Sequence, residues 1–193
     1  MKLVSYLGLL IFVLLLSEDL FGQVKFEREY RIKEKQVPEN ALNFTNLTLP
    51  GVKVKWYAEE SHDGKTLEAK TKFRGYKFSI EFDSAGMLLD VEKTIEFDSL
   101  TFLIKQQITD LLIEKFGTYK VLKTQVQWVA PEPVLSELIV SGGSSKTFEQ
   151  KYELVIETRT EHHFAAFELL FSDSGGLEKM LEIDLRNMNN MEF

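Results

Sequence analysis

The segment from Tyr76 to Ile95, YKFSIEFDSAGMLLDVEKTI, constrains the fold more than any other stretch of the chain. Apolar residues alternate through Tyr76, Phe78, Ile80 and Phe82, stop at Asp83-Ser84-Ala85-Gly86, and resume at Met87, Leu89, Val91 and Ile95. A period of two on both sides of a turn predicts a long β-hairpin with one buried face. The turn reads as structural: an aspartate bonds its own backbone and a glycine supplies positive φ. It is too short and too poor in acidic ligands for a calcium loop of the EF-hand kind. A second copy, FAAFELLFSDSGGLEKMLEIDL, runs from Phe164 to Leu185 and turns at Asp173-Ser174-Gly175-Gly176.

The remaining segments fall into two matching series. Val24 to Lys33 alternates as a strand, and Pro38 opens a short helix, PENALNF. Val52 to Glu60 and Leu67 to Arg74 read as strands around a turn at His62-Asp63-Gly64. Asp98 or Ser99 caps the best helix, whose stripe of Leu100, Ile104, Ile108, Leu111, Leu112 and Phe116 ends at Gly117. Val121 to Ala130 is the next strand, with Leu122, Val126 and Trp128 inward. Trp56-Tyr57-Ala58 matches Trp128-Val129-Ala130. Phe78, Ile80 and Phe82 match Phe167, Leu169 and Phe171, with a one-residue insertion before the second turn. The expected fold class is α+β: tandem duplicated units, each a helix packed on one face of an antiparallel sheet in the order β-α-β-β-β. The expected units are residues 23–98 and 99–193. Only the second carries an insert, residues 131–146, in which Val134, Leu135, Leu138 and Ile139 share one side of a helical turn before the flexible composition of Ser141 to Ser145.

Residues 1–22 read as a secretory signal peptide: Lys2, an uncharged apolar run from Leu3 to Leu16, then a polar segment ending at Gly22. The apolar run falls short of the roughly 20 residues that span a bilayer, so no stable membrane span is expected after cleavage. The expected location is the periplasm or the medium. The chain has no cysteine, which excludes disulfides, thiolate metal sites and cysteine catalysis. Its net charge of −7 becomes −6 without Lys2, Glu18 and Asp19, and nucleic acid is a poor partner for it.

No enzyme is expected. The sequence contains no Ser-x-x-Lys, Gly-x-Ser-x-Gly or His-Glu-x-x-His pattern. The three histidines, His62, His162 and His163, lie in a turn and in a connection; Glu161 with His163 would be the best nominees for a hydrolase. No cofactor and no metal site is expected. Carboxylates are many, but glutamates at period two on a strand read as a solvated face, and none has apolar neighbours on its own face.

The polar face of the sheet carries the expected binding residues. In the first unit it presents Lys53, Lys55, Lys70, Lys72, Arg74 and Lys77 beside Tyr57, an aromatic with a polar tip. In the second it presents Glu149, Glu153, Glu157, Glu168, Glu178, Glu182 and Asp184. The expectation is an open face with a basic and an acidic half, meeting an unidentified periplasmic protein or peptide through Lys53, Lys55, Tyr57 and Lys72 and through Leu135, Leu138 and Ile139 of the insert. A carrier of a small apolar ligand beneath the insert is the alternative. The oligomeric state is left open.

Glu27-Arg28-Glu29-Tyr30-Arg31-Ile32-Lys33 followed by Val37-Pro38, then Trp56-Tyr57-Ala58-Glu59, then Tyr76-Lys77-Phe78-Ser79-Ile80-Glu81-Phe82-Asp83 with Gly86, resembles the PepSY-like, beta-lactamase-inhibitor-like proteins exported by Bacteroidetes. The resemblance covers most of the chain after residue 22. It implies tandem α/β units and a periplasmic protein that binds or inhibits a peptidase or another protein partner. The beta-lactamase inhibitor holds its enzyme with a concave sheet. This chain lacks that inhibitor's disulfides and matches none of its inhibitory positions, so the resemblance implies the shape alone.

Overall fold

A computed structural model describes residues 24–25, 27–61, 64–159 and 164–183. The strands are β1 (Val24–Lys25), β2 (Glu27–Ile32), β3 (Val54–Ser61), β4 (Gly64–Phe73), β5 (Tyr76–Asp83), β6 (Leu88–Thr94), β7 (Tyr119–Val129), β8 (Glu149–Arg159), β9 (Phe164–Ser172) and β10 (Leu177–Ile183). The helices are α1 (Glu39–Thr48), α2 (Phe102–Phe116) and α3 (Glu132–Ser141). Residues 1–23, where the signal peptide is expected, lie outside the described residues, and no described helix is long and apolar enough to cross a membrane.

From β2 to β10 the strands follow one another in a single antiparallel meander. β1 pairs in parallel with β10, Val24 opposite Glu182. β2 lies at the far end, Glu27 opposite Ser61 on β3. One residue separates β1 from β2, so Lys25 and Glu27 are less than about 8 Å apart. The two ends of the sheet are therefore brought together by one stretch of chain, and the sheet curls round on itself. All three helices lie on the outer face of the curl.

Local chemistry fixes each helix. Pro38 and Pro131 sit at the N-caps of α1 and α3, and Glu39 and Glu132 follow in the first turn, where acidic groups suit the helix dipole. α1 runs one turn beyond the expected segment, to Thr48. α2 begins after Thr101, not at Asp98 or Ser99. Those two belong to a 3-10 turn, Phe97–Ser99, in which the Ser99 hydroxyl donates to the Glu96 carbonyl at 2.6 Å. α2 ends where expected, at Gly117 with φ of 66°.

The outer face holds the main core. Trp56, Ala58, Leu67, Phe78, Ile80, Phe82, Val91, Trp128, Leu154, Ile156, Leu169 and Phe171 are buried from the sheet, and Phe44, Ile108 and Leu112 meet them from the helices. Phe44 and Phe82 pack edge to face at 6.0 Å. Leu135, Leu138 and Ile139 belong to the same core, at 0%, 1% and 3% exposure. This corrects their assignment to a partner surface: an amphipathic helix beside a sheet buries its apolar stripe on that sheet. The segment after α3 is also more ordered than its composition predicts. Gly142 takes a left-handed C-cap, the Ser141 hydroxyl donates to the Glu137 carbonyl at 2.7 Å, and the Ser144 hydroxyl donates to Glu137 Oε2 at 2.8 Å.

Bulges overturn three inward assignments. Between β5 and β6 the register shifts after Glu81, so Leu88, not Leu89, stands opposite Phe82. Met87 and Leu89 are exposed in consequence. A shift between Val121 and Lys123 turns Leu122 to the inner face, where it packs on Val155, Ala166 and Ile183.

The two hairpin turns share one hydrogen-bond pattern. Asp83 N–H donates to the Met87 carbonyl at 2.9 Å and Gly86 N–H to the Asp83 carbonyl at 3.0 Å; Ser172 and Gly176, and Gly175 and Ser172, do the same at 2.8 and 3.0 Å. Asp83 therefore corresponds to Ser172, not to Asp173, and the two turns align without an insertion. Asp83 Oδ1 accepts from the N–H groups of Ala85 and Met87, and Ser172 Oγ accepts from that of Gly176.

Candidate functional site

Cross-strand pairing places residues on the inner face without reference to the helices. Tyr57 stands opposite Glu68, Glu68 opposite Glu81, and Glu81 opposite Asp90. One step along, Lys55 stands opposite Lys70, Lys70 opposite Ser79, Ser79 opposite Glu92, and Glu92 opposite Gln127. Thr94 and Glu153 flank Gln125. The curl of the sheet shields this row in part: Gln125 is fully buried, Ser79, Glu92 and Glu68 are 1%, 5% and 8% exposed, and Lys70, Glu81, Asp90 and Gln127 are half-buried.

Three carboxylates converge at the centre. Ligand oxygens of Glu81, Asp90 and Glu92 all lie within 4.8 Å of one another. Among the described residues no ion pair neutralises them, and their one side-chain hydrogen bond runs from Gln127 Nε2 to Asp90 Oδ2 at 3.4 Å. Burial, then the charge of Asp90, pushes the carboxyl of Glu81 well above the ordinary range, and burial, then the charge of Glu81, does the same to Glu92. Burial, with Glu68 beside it, raises Asp90 to about 7. Lys123 acts in the opposite direction on Glu92, without reversing it. The Asp90 Oδ1 atom and both polar atoms of the Gln125 side chain are buried without a hydrogen-bond partner.

A second cluster is neutralised. Lys70 Nζ lies 2.7 Å from Glu29 and 3.1 Å from Glu68, and 5.0 Å from the centroid of the Tyr57 ring. Burial disfavours the Lys70 ammonium, but Glu68 and Glu29 outweigh it and raise its pKa. Burial also raises Glu29, against the attraction of Lys70.

Of the residues expected to bind, Lys55 and Tyr57 are half-buried on the inner face, Lys72 is exposed on it opposite Lys77, and Lys53 is exposed just before β3. The face does not divide into a basic and an acidic half. Arg74 leaves it for the carbonyl of Val140 at the end of α3. Glu182 stands opposite Phe167 and so belongs to the outer face. Lys151 sits among the acidic residues of β8 and β10, 2.9 Å from both Glu149 and Glu178. Leu135, Leu138 and Ile139 are on the other side of the sheet, in the core. His62, Glu161, His162, His163 and Asp184 lie outside the described residues.

Sequence reasoning missed Glu81, Asp90, Glu92 and Gln125. Two of them form a signal in retrospect: Glu81 and Asp90 flank the hairpin that defines the fold, on the face opposite its apolar residues.

Outside the inner face, a hollow of about 450 Å³ lies between α1 and α3, lined by Asn43, Phe44, Leu47, Met87, Pro133 and Ser136. Its rim carries the exposed side chains of Leu47 and Met87.

No family model matches the chain, and no curated protein does. Solved structures do match. A DUF2874 family protein from Bacteroides ovatus aligns with a TM-score of 0.50 at 14% identity, over 76% of this chain and 87% of that one. A BLIP-like protein from Bacteroides fragilis aligns at 0.47 and 16% identity, over 76% and 86%. A protein from Bacteroides eggerthii, whose name proposes a periplasmic location, aligns at 0.45 and 11% identity, over 76% and 88%. At such identities the first of these shows a shared fold: the curled antiparallel sheet with helices on one face is that of the DUF2874 protein.

Proposed function

We propose that the protein is an exported binding module, not an enzyme, and that it seats a peptide or a loop of a protein partner on the inner face of its curled sheet. The observation that carries this reading is the polar row from Tyr57 to Gln127, at whose centre Glu92 is buried and Glu81 and Asp90 half-buried with no ion pair among the described residues. A fold gains no stability by burying carboxylates without counter-charges, so such a row favours recognition over packing. The cations at its rim, Lys53, Lys55 and Lys72, with Tyr57 beside them, supply steering and a contact surface of complementary charge. Periplasmic location, cleavage of residues 1–22 and kinship with the PepSY-like, beta-lactamase-inhibitor-like exported proteins belong to the same reading. So does duplication: the two turns correspond position for position, 89 residues apart, each with its glycine against a helix of its own half.

The test compares two faces. Tyr57→Ala with Lys55→Glu alters the inner rim, and Leu47→Ser alters the outer hollow. A partner captured from periplasmic extract, then purified and titrated against each variant, should bind the rim variant at least about tenfold more weakly, with a dependence on salt. Equal affinity for the rim variant together with loss on Leu47→Ser would move the site to the hollow between α1 and α3.

A further inference from the structure

The inner-face cluster has a geometry that partner docking does not require. We propose that Glu81, Asp90 and Glu92, with the carboxamide of Gln125, form a binding site for one calcium ion. Two independent observations meet there. The first is convergence: one oxygen from each carboxylate lies within 4.8 Å of the others. Oxygens that close can share one cation, and a set drawn wholly from protein side chains suits calcium better than magnesium, which keeps several of its waters. The second is Gln125. It is fully buried, and neither its oxygen nor its nitrogen has a partner. It stands on the same face, one pair along from Glu92 and Gln127, so its side chain is a diagonal neighbour of Glu92 and within reach of it. A buried amide with no partner is costly unless something fills its oxygen. Asp90 Oδ1 is orphaned in the same way.

The donor set selects the ion class. Every candidate ligand is a carboxylate or amide oxygen, with no imidazole and no thiolate, which favours a hard cation over zinc or copper. The three carboxylates come from two adjacent strands, β5 and β6, and the amide from the next, β7. They are thus held on a rigid hydrogen-bonded frame. A cation there supplies the counter-charge that the described residues do not bring within ion-pair distance.

This inference does not rest on the partner reading, because it needs only the protein and the ion. The experiment is isothermal titration of chelator-treated protein beginning at residue 23 with calcium and, separately, magnesium, paired with thermal unfolding in each. Binding of one calcium per chain is expected, with a dissociation constant of about 10⁻⁴ to 10⁻³ M, weaker binding of magnesium, and a rise in Tm with calcium. Asp90→Asn and Glu92→Gln should each weaken calcium binding about tenfold or more and remove the Tm response. Gln125→Leu should weaken it by a smaller factor. The isosteric changes remove repulsion and keep shape, so Asp90→Asn in chelator should unfold at or above the wild-type temperature, which shows that lost binding is not lost folding. No calcium heat and no Tm shift at about 10 mM calcium would overturn the proposal. An equal response in Asp90→Asn and Glu92→Gln would also overturn it, by assigning the ion to exposed carboxylates elsewhere.

Discussion

The two faces of β5 and β6 are built from alternate residues of the same two strands, and they obey opposite rules. Phe78, Ile80, Phe82 and Val91 face the helices and are all buried in apolar surroundings. Ser79, Glu81, Asp90 and Glu92 face inward, Ser79 and Glu92 buried and Glu81 and Asp90 half-buried, and the three carboxyl groups have no ion-pair partner among the described residues. Ser79 and Glu92 are buried as deeply as the apolar residues, so what separates the faces there is what fills the space beside each side chain. On the outer face it is complementary hydrocarbon, and stability follows. On the inner face it is like charge and orphaned amide, which opposes stability and leaves a ligand to gain it. The difference teaches where to look for function in this fold: on the side of the sheet that the helices leave uncovered.

The largest expected effect lies on the outer face. Phe82→Ala removes a fully buried ring that packs on both Phe44 and Trp56, and should cost about 3–5 kcal/mol in urea unfolding. Leu135→Ala should cost about 2–5 kcal/mol, since its side chain is fully buried in the same core. A cost below about 1 kcal/mol for Leu135→Ala would return α3 to the role of a partner surface, against its burial.

The inner face should respond in the opposite direction. Asp90 is raised from 3.8 to about 7, and Glu81 and Glu92 are raised from 4.5. The folded chain thus retains protons that the unfolded chain has released, so in chelator stability should fall as pH rises from about 4 to about 8. The three carboxyls interact, so the cluster titrates as a unit and the loss belongs to the cluster, not to Asp90 alone. Asp90→Asn should flatten the profile and leave the protein more stable than wild type at pH 8. A profile that rises across this window would mean that the carboxylates are neutralised in solution, and the contrast between the faces would fail.

The turns sharpen the comparison at the end of the hairpins. Gly86 has φ of 84°, and a Cβ there would lie 2.7 Å from the Pro38 Cβ and 3.2 Å from the Ala41 nitrogen of α1. Gly175 has φ of 87°, but its added Cβ would meet Gln107 Oε1 at 2.7 Å, the end of a side chain that can move. Both alanine variants incur the left-handed penalty of about 1–2 kcal/mol. Only Gly86→Ala also pushes a helix N-terminus off the sheet, so it should be the more damaging of the two by thermal unfolding.

Much of this fold was legible because it rests on short-range rules. Period two located β3, β4 and β5, the turn residues located both hairpins, and the apolar stripe with Gly117 located α2. The bulges at Leu89 and Leu122 were not legible, because one extra residue in a strand leaves no mark on composition and only the pairing partner reveals it. The Asp83 to Ser172 correspondence was obscured for a related reason: a hydroxyl and a carboxylate accept the same turn hydrogen bond, and the neighbouring Asp173 made the wrong alignment look better. The cluster of Glu81, Asp90 and Glu92 was illegible in a deeper way. Each reads locally as a solvated strand residue. Their shielding comes from the curl that brings together β1 and β2, the two end strands of one sheet, and that is a property of the whole chain. Lys53, Lys55, Tyr57 and Lys72 were legible as a polar face, but not their position at the rim of a partly shielded row.

The smallest expected effect tests whether that rim takes any part in stability. Lys72 stands directly opposite Lys77, a like-charge pair on adjacent strands. Reversing one member, Lys72→Glu, converts it to an attractive pair, worth about 0.2–1 kcal/mol in an exposed cross-strand setting. Unfolding in urea should therefore show stability unchanged or raised by a few tenths of a kcal/mol, while affinity for a partner held at the rim falls. A loss of more than about 1 kcal/mol would place Lys72 in a structural network. The boundary between the face that folds the protein and the face that binds would then run through the rim, leaving only the central carboxylates on the binding side.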